Sequence, residues 1–294
     1  MALEQTIFQD KVTCGAWTFN DPLTLPAGVT QLGAFILNGW DDTPPMDVLV
    51  SSRGTRDGDV PADRFPIRSR PLTFGGWLYC VDRTAAINAR SALARDVFPR
   101  DTDLTFVRHE PDAAKQLTVR RSGEIEYPPM MNLTGPHFRF LVTLRAFDPL
   151  KYATTDDIFG SVGVSGTSSG GRTYPALYPK VYAAAAGQSN VLTVVNNGGH
   201  ETRPVTVITG PLPAGWRWVN ETSGQFIGLN ATLEEGASLV LDHRRELVLV
   251  NGFEIAPAIT GDWWGLRPGS NTLRLFGEFN ASAQATVSGR SAWE

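Results

Sequence analysis

The sequence predicts a mainly β protein, with an α+β first half that carries one helix and a second half built as a β-sandwich of jelly-roll type. Three observations lead there. Most apolar runs are short and alternate with period two, the pattern of a strand with one face packed and one wet. Glycine and proline interrupt the chain throughout, 29 and 20 of them, leaving few segments long enough for a helix. One stretch does carry apolar residues at helical spacing, and strand patterns flank it on both sides.

That helix is expected to start from an N-cap at Asp82 or Thr84, to run through the stripe Ala86, Ile87, Arg90, Leu93, Ala94 and Val97, and to stop at Pro99. Leu104 with Phe106, and Leu117 with Val119 between Gln116, Thr118 and Arg120, read as strands. The clearest strand runs from His137 to Phe147, with Phe138, Phe140, Val142, Leu144 and Ala146 on one face and Arg139, Thr143 and Arg145 on the other. Composition then changes abruptly, because residues 160–171 are nearly all small and flexible. The expected organisation is an α+β assembly domain over residues 1–150, a Gly/Ser-rich linker or loop over 151–175, and a β-sandwich over 176–294.

Within the sandwich, strands are expected at Val191–Val195, Val205–Ile208, Trp216–Val219, Phe226–Leu229, Leu239–Leu241, Leu247–Val250, Leu273–Phe276 and Ala285–Val287. The strongest hairpin signal is Leu247–Val250, then Asn251-Gly252, then Phe253–Ile255. Asn-Gly supplies the two positive φ values that a tight type I′ turn requires.

Length and composition set limits on function. A chain of 294 residues with 42% apolar and 19% charged residues has room for two domains with their own cores. A net charge of -4 and no basic stretch argue against reading nucleic acid by neutralising phosphates. Cys14 and Cys80 lack the paired spacing of zinc sites and are expected as reduced, half-buried thiols. The start Met1-Ala-Leu-Glu-Gln-Thr6 has no secretory pattern, and no apolar run is long enough to span a bilayer, so no membrane insertion is expected. The glycosylation sequons at Asn132 and Asn220 are accordingly read as chance matches.

The candidate chemistry is thin. Asp41, Asp42, Asp57, Asp59, Asp101, Asp103 and Glu110 are acids in the right numbers for acid–base work, but solvated loops account for them. His109, His137, His200 and His243 have no metal-ligand spacing, and no Gly-x-Ser-x-Gly elbow is present. Asp57-Gly58-Asp59 lacks the remaining oxygen ligands of a calcium loop, and Arg53-Gly-Thr-Arg-Asp-Gly58 lacks the Lys-Ser/Thr of a phosphate loop. No catalytic residue, metal or cofactor is assigned. Trp216 and Trp218, two apart on one strand, are expected in the core, whereas one of the adjacent pair Trp263 and Trp264 is expected to be exposed, which makes those two the candidate glycan contacts. Arg64, Arg68, Arg70, Arg90, Arg95 and Arg100 near the helix, against Asp41, Asp42, Asp57, Asp59 and Asp63, suggest complementary patches for a head-to-tail contact between copies.

Several segments in order carry a family resemblance: Val195-Asn-Asn-Gly198, Pro204-Val-Thr-Val-Ile-Thr-Gly210, Asn220-Glu-Thr-Ser-Gly-Gln-Phe226, Glu235-Gly-Ala-Ser-Leu-Val-Leu-Asp242, Val248-Leu-Val-Asn-Gly252 and Trp264-Gly-Leu-Arg-Pro-Gly-Ser-Asn-Thr-Leu273. Leu37-Asn-Gly39, Arg56-Asp-Gly58, Ile67–Phe74 and Phe147-Asp-Pro149 extend it into the first half. In these the chain resembles the distal tail and minor tail proteins of siphophages, particularly those infecting actinobacteria. The resemblance implies a first domain assembling into a hexameric ring at the virion's tail tip and a peripheral galectin-like sandwich. It also implies tail tube protein, tail hub and other minor tail or receptor-binding proteins as partners, DNA meeting the chain only in passage through the lumen, and no enzymatic activity. A carbohydrate-binding adhesion module contacting the host envelope is the alternative, and a wall-degrading glycosidase the third reading.

Overall fold

The computed structural model describes residues 10–52, 59–61, 66–128, 135–164, 190–255, 259–277 and 283–294. They fall into two compact units, residues 1–154 with Glu294 and residues 155–293.

The first unit contains β1 (Lys11–Cys14), β2 (Trp17–Phe19), β3 (Val29–Asn38), β4 (Val50–Ser52), β5 (Asp59–Pro61), β6 (Arg70–Cys80), α1 (Arg83–Ala92), β7 (Leu104–His109), β8 (Ala114–Glu126), β9 (His137–Ala146) and β10 (Lys151–Ala153). Its main sheet has the order β2-β1-β7-β8-β9-β6-β3, with β10 beside β8 and β4 paired with β5 apart from it. The two ends of that order approach each other. The Asn20 N–H donates to the Leu32 carbonyl at 3.3 Å and its Oδ1 accepts from the Ala34 N–H at 2.8 Å, which ties the end of β2 to β3. The curled sheet encloses an aromatic cluster in which Phe74 meets Phe19 at 5.0 Å and Phe106 at 5.2 Å, both edge to face. Phe140 comes from β9, whose alternation matches expectation: Phe140, Val142, Leu144 and Ala146 are buried and Arg139, Thr143 and Arg145 exposed.

Helix α1 is capped by Asp82, whose side chain accepts from the Ala85 N–H at 2.7 Å. Beyond Ala92 the chain winds on as a π turn over Leu93–Val97 and ends where the Phe98 N–H bonds the Leu93 carbonyl. The stripe facing the sheet differs from the predicted one. Ala89, Leu93 and Val97 are buried, while Ile87 is 59% exposed. The helix lays its alanines on the core, Ala89 buried and Ala85, Ala86 and Ala92 partly so.

The second unit places β11 (Ile158–Val164), β12 (Val191–Asn196), β13 (Val205–Thr209), β14 (Trp216–Asn220), β15 (Gln225–Leu229), β16 (Ser238–Asp242), β17 (Leu247–Val250), β18 (Phe253–Ile255), β19 (Ile259–Gly261), β20 (Gly269–Phe276) and β21 (Ala283–Gly289) in two antiparallel sheets. Their orders are β11-β21-β13-β16-β17-β18 and β12-β20-β14-β15-β19. Side chains from both fill one core, including Ile208, Trp216, Trp218, Leu241, Leu273 and Val287, which makes the unit a sandwich. The predicted hairpin is present: Asn251 and Gly252 have φ of 50° and 82°, and Val250 pairs with Phe253 across them.

Within residues 151–164, expected in a linker or loop, two stretches are strand: β10 pairs with β8, and β11 pairs with β21 along its whole length, with residues 154–157 between them. Ile158 and Val162 of β11 point into the core, so two well-spaced apolar residues and a complete ladder suffice for a strand that is otherwise rich in glycine and serine. Residues 165–175 of that predicted linker lie outside the described residues.

Candidate functional site

The loop after β3 is held in place by buried charge. Arg70, the first residue of β6, is buried, with its Nε donating to the Pro149 carbonyl at 2.9 Å. Its Nη1 donates to the carbonyls of Gly39 at 2.9 Å, Trp40 at 3.0 Å and Asp42 at 2.6 Å. Burial pulls its pKa down, yet a guanidinium stays charged in a protein, and these carbonyls replace the water it has lost. Lys151, at the start of β10, adds a donor to the Trp40 carbonyl at 3.2 Å, and burial followed by the neighbouring Arg70 charge lowers its pKa.

Trp40 itself is buried, and its indole N–H donates to Glu110 Oε1 at 2.6 Å. The other oxygen of Glu110 accepts from Lys115 at 2.6 Å, and Lys115 also reaches Asp112 at 3.2 Å. Above them Arg108 bridges Asp10 and Asp41, each at 2.8 Å. The candidate acids Asp41 and Glu110 are thus matched by cations, an arrangement that fixes a loop and presents its outer residues, Asp42 among them, to solvent.

The remaining sequence candidates are scattered. Asp101 is exposed and Asp103 pairs with Arg120 at 2.8 Å. Asp57, Asp63 and Arg64 lie outside the described residues, and Asp59 lies in β5. The side chain of His109 lies 3.4 Å from Thr13, the ring of His137 packs on Tyr79, and His200 Nδ1 lies 2.9 Å from the Glu201 carbonyl. Among the described residues no group of three or more His, Cys, Asp and Glu is placed to hold a metal. Both cysteines are free and fully packed, not half-buried; burial pushes the Cys14 thiol up to about 12 and raises that of Cys80 as well, so both stay protonated and poorly nucleophilic.

The proposed charge patches divide in the same way. Arg68 pairs with Asp47, Arg95 pairs with its neighbour Asp96, Arg90 stacks on Tyr127 at 3.8 Å, and Arg100 is exposed. Arg70 does not belong to that surface, because it faces inward to the loop. No motif in the sequence marks it, since its partners are backbone carbonyls.

In the second unit, Trp216 and Trp218 lie in the core as expected. Trp264, a candidate glycan contact, is only 1% exposed and leaves no face for a sugar, whereas Trp263 is half-buried at the edge of the core. Between them sits His243, 4.2 Å from the Trp264 ring and 5.4 Å from the Trp263 ring. The segments that carry the resemblance are built around buried asparagines. Asn196 donates to the carbonyls of His200 and Leu266, Asn220 to that of Gly265, and Asn271 to those of Arg267 and Gly269. These side chains stitch turns to the stretch around Trp264, so they serve the fold. Asn220, the second sequon, is buried in that role.

Residues 197–293 match the family model described as siphovirus-type tail component, C-terminal domain. No curated protein matches the chain. Among solved structures it is similar to the Dit protein of phage SPP1, described as a paradigm of hub adsorption apparatus in Gram-positive-infecting phages, with a TM-score of 0.60 and 15% identity over 88% of this chain and 93% of that one. Fainter likenesses are to the baseplate of phage p2 in its activated conformation. With strontium, the TM-score is 0.45 at 10% identity, covering 95% of this chain and 98% of that one. With calcium, it is 0.44 at 10% identity, covering 87% and 90%.

Proposed function

We propose that this chain, a member of the siphophage distal tail family, is a structural component of a bacteriophage tail tip or baseplate whose copies close into a ring, hexameric by the family resemblance. The ring joins the tail tube to the hub and receptor-binding machinery and leaves a lumen through which DNA passes. The observation that carries this reading is the match of residues 197–293 to a siphovirus-type tail component, in a chain similar in fold to the SPP1 Dit protein over 88% of its length. The buried asparagines, the matched acids and the clamped loop support a protein that works through rigid surfaces and not through catalysis. The absence of a basic excess suits a channel that must release what passes through it.

Mass measurement and electron microscopy of the purified chain test the ring. A closed particle of about six copies with a central opening is expected from a head-to-tail contact that closes, and a chain that remains monomeric at high concentration overturns it. The half-buried Trp263 favours a secondary reading, glycan contact at the host envelope. Binding on a glycan array that disappears in Trp263→Ala while the fold persists would establish it, and an array without signal removes it.

A further inference from the structure

Two surfaces of the first unit share a composition and oppose each other in charge. The first is a groove of about 580 Å³ between α1 and the segment leading into β9. Val81 and Ile87, 62% and 59% exposed, line it together with Phe138, and Arg83 and Arg90 stand along its helix wall, outnumbering the single acid there, the capping Asp82. Arg83, Ile87 and Arg90 are four and three residues apart, which places them on one helical face. The second is the strip Asp41–Leu49, where Met46, Val48 and Leu49 are 60%, 68% and 51% exposed, and where Asp42 is an exposed acid beside Asp41, the latter already paired with Arg108.

The two lie at opposite ends of one strand. The strip meets the chain entering β6, through the pairing of Met46 with Ile67 and the bond from the Asp47 N–H to the Pro66 carbonyl. The groove begins just past the other end of β6, at Val81. Eleven residues of strand separate them, about 36 Å at roughly 3.3 Å per residue. Isolated exposed apolar residues are ordinary, but two clusters of them, one flanked by arginines and one by aspartates, are what a contact between copies requires. Because the patches are different and distant, the contact they make is head to tail, the kind that generates a ring when its rotation closes.

We propose that the groove beside α1 receives the Asp41–Leu49 strip of a second copy of this chain, with Val48 and Leu49 set against Ile87 and Val81, and Asp42 facing Arg83. This contact rests on the ring reading and specifies which surfaces make it. The strip is suited to the task because the Arg70 clamp fixes its start at Asp42 and backbone bonds between Pro45, Asp47 and the chain at Pro66 and Arg68 fix its middle before a partner arrives, so less ordering is left to binding.

The test uses the full chain, with masses measured by light scattering over a range of concentrations. Ile87→Asp spoils the groove and Val48→Asp spoils the strip; both positions are exposed, and circular dichroism melts matching the wild type confirm that the variants fold. Each variant alone is expected to be monomeric. Mixed one to one they are expected to form a dimer and nothing larger, since one intact groove then meets one intact strip. Arg83→Glu is expected to weaken assembly at least tenfold, and adding Asp42→Arg to restore it. An oligomeric wild type whose Ile87→Asp and Val48→Asp variants assemble unchanged overturns this contact and leaves the ring standing. A wild type that is monomeric at every concentration overturns both.

Discussion

His243 lies between two indoles with no exposed atom, and neither ring nitrogen makes a well-formed hydrogen bond. Burial, then the Arg203 charge, depress its pKa to about 3, against weaker opposition from Asp242 and the Trp264 backbone. An unfolded histidine titrates near 6.5, so between those values the unfolded chain binds the extra proton. Stability contributed by the neutral ring is therefore complete above about pH 6.5 and is lost as pH falls toward 3, by several kcal/mol in order of magnitude. Urea melts at pH 7 and pH 4 should show the second unit weakened at pH 4, and His243→Phe should flatten that dependence. Gly198 gives a sharper expectation. A Cβ there would sit 1.9 Å from the Ala292 carbonyl oxygen and 2.5 Å from its nitrogen, both backbone atoms. Gly198→Ala should thus cost at least about 2 kcal/mol in chemical denaturation. At this scale the sequence was partly legible. Asn251-Gly252 announces its own turn through the φ values it tolerates, whereas the burial of Trp264 depends on Asn196, Asn220 and Asn271 holding the surrounding chain, contacts that no local pattern reveals.

Helix α1 shows which properties of an element can be read in advance and which cannot. Its existence, its cap and its end near Pro99 follow from short-range chemistry, and Asp82→Ala should cost about 1 kcal/mol through loss of the bond to the Ala85 N–H, measurable in an equilibrium melt. Its orientation does not follow, because hydrophobicity alone turns Ile87 inward, whereas the side packed on the core is made of the alanines Ala85, Ala86, Ala89 and Ala92. The strands of the sandwich were legible where branched and aromatic residues alternate. Strand β11 was not, since its glycines and serines match a linker, and only its pairing with the distant β21 identifies it. Truncating a central side chain should be felt throughout its sheets: Trp218→Ala, at a fully buried position, is expected to cost about 3–5 kcal/mol, read as a lower denaturation midpoint at an unchanged slope.

At the scale of the whole chain, composition speaks to what the protein does not grip. With a net charge of -4, it should not retard duplex DNA in a mobility shift at about 0.15 M salt, conditions under which a phosphate-neutralising protein still binds; a clear shift would contradict a lumen that only passes DNA. Assembly through the groove and the strip should weaken as salt rises, because exposed charges are screened within about 10 Å at 0.1 M, while its apolar part persists. Mainly β architecture and the resemblance of residues 197–293 to a tail component were legible from ordered short motifs. The groove was not, because it is made where α1 meets residues 135–138, more than forty positions further along the chain.

The Arg70 clamp has one more consequence. It grips the carbonyls of Gly39, Trp40 and Asp42, and a carbonyl is the same whichever side chain its residue carries. The route of the loop and the identity of what it displays are therefore inherited separately: replacing Asp42, whose side chain takes no part in the clamp, alters the message on the surface and leaves intact the frame on which it is written. A lineage of such proteins can change what its outer loop meets by single substitutions, without rebuilding the element that holds it out.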